Sequence, residues 1–226
     1  MLSQKIHAIL KAGEKTGWII EPEAKKLLSL AGLNAPRFKW TTRFDDALEF
    51  AHSIGYPVVA KVVSPEILHK SDAGGVVVGV ASDEQLGAAF QRFSTFQGFA
   101  GILVEETVSG VELIIGAKVD NQFGPVILLG MGGTGVEIYH DTCLRMAPLK
   151  QKEAESMIKS LKAHQLLEGY RGSKPVNVSA LSGMITTFSH LIMQLEDYIE
   201  SVDLNPVMCS SDNCVIADAR IVLRSK

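Results

Sequence analysis

Residues 56–80 of the chain read YPVVAKVVSPEILHKSDAGGVVVGV, two short apolar runs around a polar loop that ends in glycine. The runs 58–63 and 76–80 are rich in β-branched residues and bounded by proline or glycine, which predicts two largely buried strands. Between them, residues 64–75 collect histidine, lysine, serine and aspartate side chains beside two adjacent glycines. The stretch therefore predicts a strand, a chemically dense loop and a second strand.

Further helices and strands are predicted on both sides of this stretch. Apolar residues recur at the i, i+3, i+4, i+7 spacing of one helix face in five segments. These faces are Ala24, Leu27, Leu28 and Ala31; Phe44, Ala47, Leu48 and Ala51; Leu86, Ala89, Phe90 and Phe93; Ala154, Met157, Ile158 and Leu161; and Leu181, Ile185, Phe188 and Ile192. Short branched runs predict further strands over 102–105, 111–119, 126–129, 202–208 and 215–222. Helices and strands mixed along the whole length indicate an α/β or α+β fold.

Composition limits the class of protein. The chain has 226 residues, 22 Lys and Arg against 25 Asp and Glu, and 46% apolar residues, which is enough for one large domain or two closely packed lobes. A sequence pI of about 6.1 without a block of like charge gives no electrostatic footprint for nucleic acid or a membrane surface. We find no apolar run near the ~18 residues of a membrane span and no signal-peptide core in residues 1–11, so we expect a cytoplasmic protein.

Two points along the chain look like hinges, the turn 108–110 and the segment 162–175. Of three cysteines, Cys209 and Cys214 are close in sequence, across a polar tetrad typical of a hairpin tip. We expect reduced thiols there, as in most cytoplasmic proteins, and no zinc site, because no CxxC motif or nearby histidine is present.

Lys61 is a charged residue near the end of the apolar run 57–63. A lysine on a mostly buried strand needs a partner, and a ligand phosphate is one such partner. The alternative is that Lys61 points to solvent or pairs with a carboxylate, which is the more common arrangement for a lysine considered alone.

The loop that follows contains His69 and Lys70, with Gly74 and Gly75 at its end. A neutral imidazole can act as a nucleophile or base. Lys70 could hold a phosphoryl oxygen, and the glycine N–H groups could approach an anion. The alternative is a solvated loop whose histidine has no chemical role.

A second glycine cluster, residues 130–135, follows the apolar run 126–129. A strand followed by a glycine loop is a common way to cradle phosphate, but the cluster matches neither the P-loop nor the dinucleotide-binding pattern. A flexible turn is the alternative. Arg145 is a charge within a later apolar run and would either clamp a phosphate or form an ordinary salt bridge.

Acidic and amide side chains form a further candidate set. Glu105 ends one strand and Glu112 lies seven residues later. Asn205 and Asp218 lie at comparable distances from the predicted hairpin tip and can face the same side. One carboxylate and one amide oxygen suit Mg²⁺, whose other ligands are water and phosphate. The alternative is an Asx turn at Asn205 and a surface aspartate.

Together these pieces resemble the ATP-grasp fold, and within it the β subunit of ADP-forming acyl-CoA (acetyl-CoA) synthetases. The resemblance covers nearly the whole chain. It is carried by residues 23–28 (EAKKLL), 56–61 (YPVVAK), 67–76 (ILHKSDAGGV), 103–106 (LVEE), 111–116 (VELIIG), 123–126 (FGPV), 130–133 (GMGG), 166–172 (LLEGYRG) and 204–206 (LNP). It implies two α/β lobes that clamp a nucleotide: an N-terminal helical segment over 1–20, one lobe over 21–105 and a second, Mg²⁺-binding lobe over 106–226.

Residue by residue, the resemblance implies a nucleotide and Mg²⁺ site. Lys61 would contact the ATP or ADP phosphates, the backbones of Glu105 and Val108 the adenine, and Glu112 the ribose. Asn205 and Asp218 would be the Mg²⁺ ligands. The residues implied near the transferred phosphate are His69 as a mobile phosphohistidine, Lys70, Gly132, Gly133 and Arg145.

The resemblance also implies a reaction and a partner. A CoA-binding α subunit, in an α2β2 assembly, or fused CoA-binding domains would convert acyl-CoA and phosphate to an acyl phosphate and then a phosphohistidine. His69 would receive that group and deliver it to ADP. The carboxylic acid and CoA would be handled by the partner. The chain departs from the family pattern at Ala73, Met131 and the pair Thr134-Gly135.

Three other functions are considered for the same residues. A stand-alone ATP-grasp carboxylate ligase would use an acyl phosphate without His69. A regulatory module would sense ATP or ADP without turnover, although such a module has no need of both Mg²⁺ ligands. A purely structural subunit would have no nucleotide affinity.

Overall fold

The computed structural model describes residues 2–67, 69–133 and 140–224. The helices in these ranges are α1 (Gln4–Gly13), α2 (Glu21–Leu30), α3 (Phe44–Ile54), α4 (Asp83–Ser94), α5 (Gln151–Ser160) and α6 (Val178–Leu195), with a 3-10 turn at His164–Leu166. The strands are β1 (Trp18–Ile19), β2 (Phe38–Thr41), β3 (Val58–Val63), β4 (Val76–Val80), β5 (Gly101–Glu106), β6 (Val111–Asp120), β7 (Gly124–Met131), β8 (Thr142–Met146), β9 (Ile199–Cys209), β10 (Cys214–Ile216) and β11 (Arg220–Leu223).

The chain divides into two compact units. The large unit comprises Met1–Ala35 and Ser109–Lys226, and the small unit is Pro36–Val108. The division at 108/109 falls in the predicted hinge 108–110. The other division differs from the predicted lobe boundaries, because the apolar face of α2 is buried in the core of the large unit.

The large unit is built on a seven-stranded antiparallel sheet of order β1-β11-β9-β6-β7-β8, with β10 paired to β9. Helices α1, α2, α5 and α6 contribute to the core that covers one face. Along β6 the inward residues Leu113, Ile115 and Ala117 are buried, while Glu112 and Lys118 are exposed. The side-chain period of 2 thus gives the sheet a core face and an outward face.

The small unit has a four-stranded antiparallel sheet of order β2-β5-β3-β4. Helices α3 and α4 pack on it, and Phe93 is completely buried in this core. Ser82 begins α4 as predicted, since its hydroxyl accepts from the Gln85 N–H at 3.3 Å, while the Gln85 side chain accepts from the Ala81 N–H at 2.8 Å. All five helices predicted from apolar spacing are present.

Three sequence expectations need correction. The predicted strand 215–222 is two strands, β10 and β11, because the N–H groups of Ala217 and Asp218 turn to donate to the Pro206 carbonyl. Strands β1, β2 and β8 were not predicted. Cys209 and Cys214 form a disulfide instead of the expected thiols, since they are directly paired across β9 and β10 with Cα atoms 4.2 Å apart.

Helix α6 also differs from expectation. By length and composition it could cross a membrane, with a mean hydropathy of 1.2 over Val178–Leu195. Half of that window is buried inside the structure. Its buried side chains, including Phe188 and Ile192, belong to the core of the large unit. This burial is typical of a core helix.

Candidate functional site

Lys61 lies in the middle of the small unit's sheet, on β3. Its Nζ is 2.9 Å from Oε2 of Glu105 on the neighbouring strand β5, and the two side chains are 7% and 3% exposed. Lys61 thus pairs with a carboxylate, which was the alternative to a phosphate contact in the sequence analysis. Both partners of this ion pair are thus almost completely buried.

The loop that carries His69 and Lys70 is held by hydrogen bonds at its C-terminal end, at Gly74 and Gly75. His69 is exposed and Lys70 is partly buried. The Gly75 N–H donates to the Lys70 carbonyl at 2.6 Å, the Val62 N–H donates to the Gly75 carbonyl at 2.8 Å, and Arg92 donates to the Gly74 carbonyl. Leu68, next to His69, lies outside the described residues.

Steric crowding explains why a glycine occupies position 75 at the end of this loop. A Cβ there would lie 2.5 Å from Cγ1 of Val62 and 3.1 Å from the Lys70 carbonyl oxygen. Only a residue without a side chain therefore lets the loop close onto β3. The loop therefore carries the exposed imidazole of His69, while main-chain hydrogen bonds hold its end at Gly75.

Glu105 and Val108 lie at the end of the small unit. After β5, the hydroxyl of Thr107 donates to the Pro57 carbonyl at 2.7 Å. Arg37 pairs with Glu106 at 2.6 Å on the surface. These contacts order the main chain that leads to Val108, where the predicted adenine contacts would be made.

In the large unit, the structure brings Glu112, Gly132 and Gly133 together. The Gly132 N–H donates to the Glu112 carbonyl at 2.7 Å. A Cβ on Gly132 would lie 2.8 Å from the carbonyl carbon and oxygen of Glu112, so glycine is required for this approach. Gly133 has φ +84°, and its Cβ position lies 3.4 Å from a carboxylate oxygen of Glu112. The rest of the glycine cluster, 134–135, lies outside the described residues.

Asn205 lies on β9, and Asp218 lies in the turn between β10 and β11. The paired positions Val207–Ile216 and Asp203–Arg220 flank the two residues symmetrically. Asn205 is exposed and Asp218 partly buried. The register between β6 and β9 shifts by one residue around this point, a β-bulge that re-aims side chains. The flanking register is compatible with the predicted comparable depth of the two residues, and their role as Mg²⁺ ligands stays a prediction.

This donor set fits Mg²⁺. One carboxylate and one amide oxygen leave the remaining positions of an octahedron to water and phosphate oxygens. Within 2–67, 69–133 and 140–224, no cluster of three or more His, Cys, Asp or Glu residues is arranged to hold a metal.

The outward face of the large sheet carries a cavity of about 800 Å³. Its lining includes Leu128, Leu144 and Met146, with Lys118, Asp120, Arg145 and Asp203 as charged members. Arg145 lies on the edge strand β8, where its Nη1 donates to the Leu144 carbonyl at 2.9 Å. The guanidinium is exposed at the rim, as a phosphate-binding arginine would need to be.

Two clusters of hydrogen-bonded or ion-paired side chains were not predicted from the sequence. In the large unit, Lys25 and Glu21 form an ion pair that is 0% and 4% exposed. In the small unit, Asp83 accepts from Tyr56 and contacts His52, each at 2.8 Å. The i, i+4 spacing of Glu21 and Lys25 was the available signal for the first cluster, but that spacing normally indicates a surface pair.

A family model described as an ATP-grasp domain matches residues 10–223. The chain belongs to the ATP-grasp family. It is 39% identical to the β subunit of ADP-forming acetate–CoA ligase I of Pyrococcus furiosus, over 95% of this chain and 96% of that protein. It is 38% identical to ADP-forming acetate–CoA ligase I of Archaeoglobus fulgidus, over 95% of this chain but 32% of that protein. The alignment thus spans nearly the whole of the separate β subunit and about a third of the longer relative.

A solved structure is similar along the whole ATP-grasp chain. It is acetyl-coenzyme A synthetase 1 of Candidatus Korarchaeum cryptofilum, with TM-score 0.85 and 37% identity over 97% of this chain and all of that one. That protein is in complex with coenzyme A and Mg-AMPPCP, with its phosphohistidine segment pointing towards the nucleotide-binding site. These similarities confirm the predicted fold and family.

Proposed function

We propose that the chain is the nucleotide-binding β subunit of an ADP-forming acyl-CoA synthetase. This ligase interconverts acyl-CoA, ADP and phosphate with a carboxylic acid, ATP and CoA. The observation that carries the proposal is the exposed His69 on an anchored loop, in a chain that is 39% identical to such a β subunit over 95% of its length.

The proposed roles divide between the two units. In the small unit, Lys61 contacts nucleotide phosphates, the backbones of Glu105 and Val108 contact the adenine, and Lys70 holds a phosphoryl oxygen beside His69. In the large unit, the roles fall to Glu112 for the ribose, Gly132, Gly133 and Arg145 for the transferred phosphate, and Asn205 with Asp218 for Mg²⁺. The buried Lys61–Glu105 pair supports this, because its charge cannot swing away from an approaching phosphate.

The central step transfers a phosphoryl group. In the ATP-forming direction, the P–N bond of phospho-His69 breaks as a terminal oxygen of ADP forms the new P–O bond, and His69 regains its imidazole lone pair. Positioning and charge neutralisation supply most of the catalysis in such transfers. Mg²⁺, when bound, neutralises phosphate charge, and the side chains of Lys61 and Arg145 add to that neutralisation.

The proposal includes a partner that binds CoA. The chain matches separate β subunits over nearly their whole length and about a third of single-chain relatives, so CoA-binding elements would come from an α subunit or from fused domains. An α2β2 assembly in the cytoplasm is the arrangement we propose. The acyl substrate would be selected by that partner.

The test is phosphorylation of the protein by Mg·ATP, followed by intact mass and acid-lability measurements. We expect one acid-labile, alkali-stable phosphate on the wild type and on His190→Ala, and none on His69→Ala. His190 is a matched control because it is an exposed histidine on α6. If ATP binds but no phosphate appears even with the CoA-binding partner present, the swinging-histidine mechanism is wrong. A stand-alone ligase would then be favoured if His69→Ala keeps its activity.

A further inference from the structure

Helix α2 carries a charged pair in the interior of the large unit. The Nζ of Lys25 is 2.9 Å from Oε1 of Glu21, one helical turn earlier. Lys25 is among the largest completely buried side chains of the chain. Burying two charges costs free energy, and an apolar pair of the same volume often folds equally well or better. Packing alone therefore does not explain why a charged pair occupies this position.

The ammonium of Lys25 also reaches across to the hairpin that bears the proposed metal ligands. It donates to the Ala217 carbonyl at 2.8 Å. Ala217 directly precedes Asp218, in the turn between β10 and β11. The helix near the N-terminus thus contacts a residue 192 positions later in the chain.

The same turn is fixed from its other sides. The Pro206 carbonyl accepts from the N–H groups of Ala217 at 3.0 Å and Asp218 at 3.4 Å. The Asp218 carboxylate accepts from the Ala219 N–H at 2.9 Å, which orients its side chain. With Lys25 holding the Ala217 carbonyl, both groups of the peptide that joins Ala217 to Asp218 are hydrogen-bonded.

We infer that the Glu21–Lys25 pair is a positioning element for Asp218 as a Mg²⁺ ligand. This inference rests on the proposed function. Mg²⁺ demands near-ideal octahedral geometry, so a ligand on a short turn must have its main chain fixed. Lys25 fixes the Ala217 carbonyl, and Glu21 holds the ammonium in place from 2.9 Å away. Neither side chain contacts the metal.

The test replaces both charges of the Glu21–Lys25 pair together, so that neither is left without the other. In Glu21→Leu with Lys25→Met, the Ala217 carbonyl loses the hydrogen bond from Lys25 while the side-chain volume is roughly kept. We expect the Mg²⁺ concentration for half-maximal ATP binding, measured by calorimetry, to rise about tenfold, as is typical when an outer-shell partner of a metal ligand is removed. ATP binding in EDTA should stay within twofold of the wild type. A purely structural defect would weaken both measurements equally.

Lys26→Met is the matched control. Lys26 is the next residue on α2 and pairs with Glu23 on the surface at 2.6 Å. We expect its Mg²⁺ requirement to remain within twofold of the wild type. Should the apolar double variant fail to fold, Glu21→Gln with Lys25→Gln keeps a polar pair, and its shorter amide is expected to raise the Mg²⁺ requirement in the same way.

Asp218→Asn separates this inference from the function on which it rests. If Asp218→Asn leaves the Mg²⁺ requirement unchanged, the proposed metal site is wrong. If Asp218→Asn raises the requirement but a folded double variant does not, the metal site stands and the positioning role of the pair is overturned.

Discussion

Two lysines within residues 2–67, 69–133 and 140–224 are buried, and both are paired with a glutamate at 2.9 Å. Lys25 meets its partner within one helix, whereas Lys61 meets Glu105 across two strands. Sequence reasoning singled out Lys61 because a charge interrupts an apolar strand, and it left two alternatives open. The structure shows a carboxylate partner, which is compatible with a phosphate contact because an ammonium has three donors.

Lys61→Met tests whether this pair serves binding or stability. Removing the ammonium leaves the Glu105 carboxylate buried without its partner, so urea unfolding should show a loss of about 3–5 kcal/mol. Adding Glu105→Gln should recover most of that stability but not ATP affinity. Lys39→Met, an exposed lysine on β2, should change stability by less than about 0.5 kcal/mol. Full ATP affinity in the double variant would contradict the phosphate role.

Gly132→Ala tests the close approach of the glycine loop to Glu112. The new Cβ would lie 2.8 Å from main-chain atoms of Glu112, which cannot move without shifting β6. We expect a loss of about 1–3 kcal/mol in unfolding experiments, in the range for overpacking, together with weaker ATP binding. Gly183→Ala in α6 is the control, because a Cβ there meets nothing within 4 Å. That change should stabilise the helix by about 0.5–1 kcal/mol. Equal effects of the two changes would show that the approach is unimportant.

At the scale of elements, apolar spacing predicted α2 to α6, and branched runs predicted most of the strands. It did not predict α1, although Ile6, Ile9 and Leu10 form an apolar face. It also missed β1, with two residues, and β2 and β8, because a lysine or an arginine interrupts the apolar residues of FKWT and TCLRM. Strand β8 forms through pairing with β7, and β2 through pairing with β5. Pairing across the sheet is a tertiary effect that local patterns do not contain.

The candidate site shows the same limit. The sequence predicted Asn205 and Asp218 from their positions around a hairpin tip, and the positions of the flanking pairs Val207–Ile216 and Asp203–Arg220 are compatible with that arrangement. It did not identify Lys25, which supports that hairpin from 192 positions away. Contacts between distant segments depend on the fold, so residues that position a site are harder to predict than those that compose it.

Asp83 links two helices and a strand in the small unit. It contacts His52 near the end of α3 and Tyr56 just before β3. Hydrogen bonds from His52 and then Tyr56 lower the pKa of Asp83, so its contribution to stability is present above the ordinary carboxyl pKa and is lost as pH falls. Burial, followed by the hydrogen bond to Asp83, raises the pKa of Tyr56 to about 12.

This linkage predicts an alkaline transition. Between the ordinary tyrosine pKa of about 10 and about 12, the folded protein keeps a proton that the unfolded chain loses, so stability falls as pH rises through that window. Titration of tyrosinate absorbance should show a late-ionising group that Tyr56→Phe removes and Asp83→Asn shifts to lower pH. Tyr170→Phe is the control, because that ring is 49% exposed. A late group that survives Tyr56→Phe would contradict the assignment.

At the scale of the whole molecule, the chain leaves the large unit after Ala35 and returns to it at Ser109. The small unit is thus inserted in sequence, and each unit has its own core. Gly110 lies where the chain re-enters the large unit. A Cβ at this position would lie 2.4 Å from the Cys209 carbonyl oxygen, so a side chain would clash there. The predicted hinge at 108–110 was readable because glycine and serine interrupt two strand patterns. The division after Ala35 was not, because α2 joins the core of the large unit through tertiary packing that the local sequence pattern does not contain.

Ligand binding should couple the proposed roles across the chain. A ligand that binds only the folded state at about 100 times its Kd stabilises it by about 2.7 kcal/mol. For a chain of this size that corresponds to a rise in Tm of roughly 5–10 °C. We expect Mg·ATP to produce this rise in the wild type and in His69→Ala, because His69 is proposed to accept a phosphoryl group and not to supply binding energy.

The same rise should be largely lost in Lys61→Met with Glu105→Gln, in the small unit, and in Asp218→Asn, in the large unit. Thermal melts with and without saturating Mg·ATP measure it, with Lys39→Met as the variant expected to keep the full shift. Loss in one unit's variant only would mean that the nucleotide depends on that unit alone, and the assignment of binding roles to both units would be wrong. Loss in both, with the shift kept in His69→Ala, would separate nucleotide binding from phosphoryl transfer in this chain.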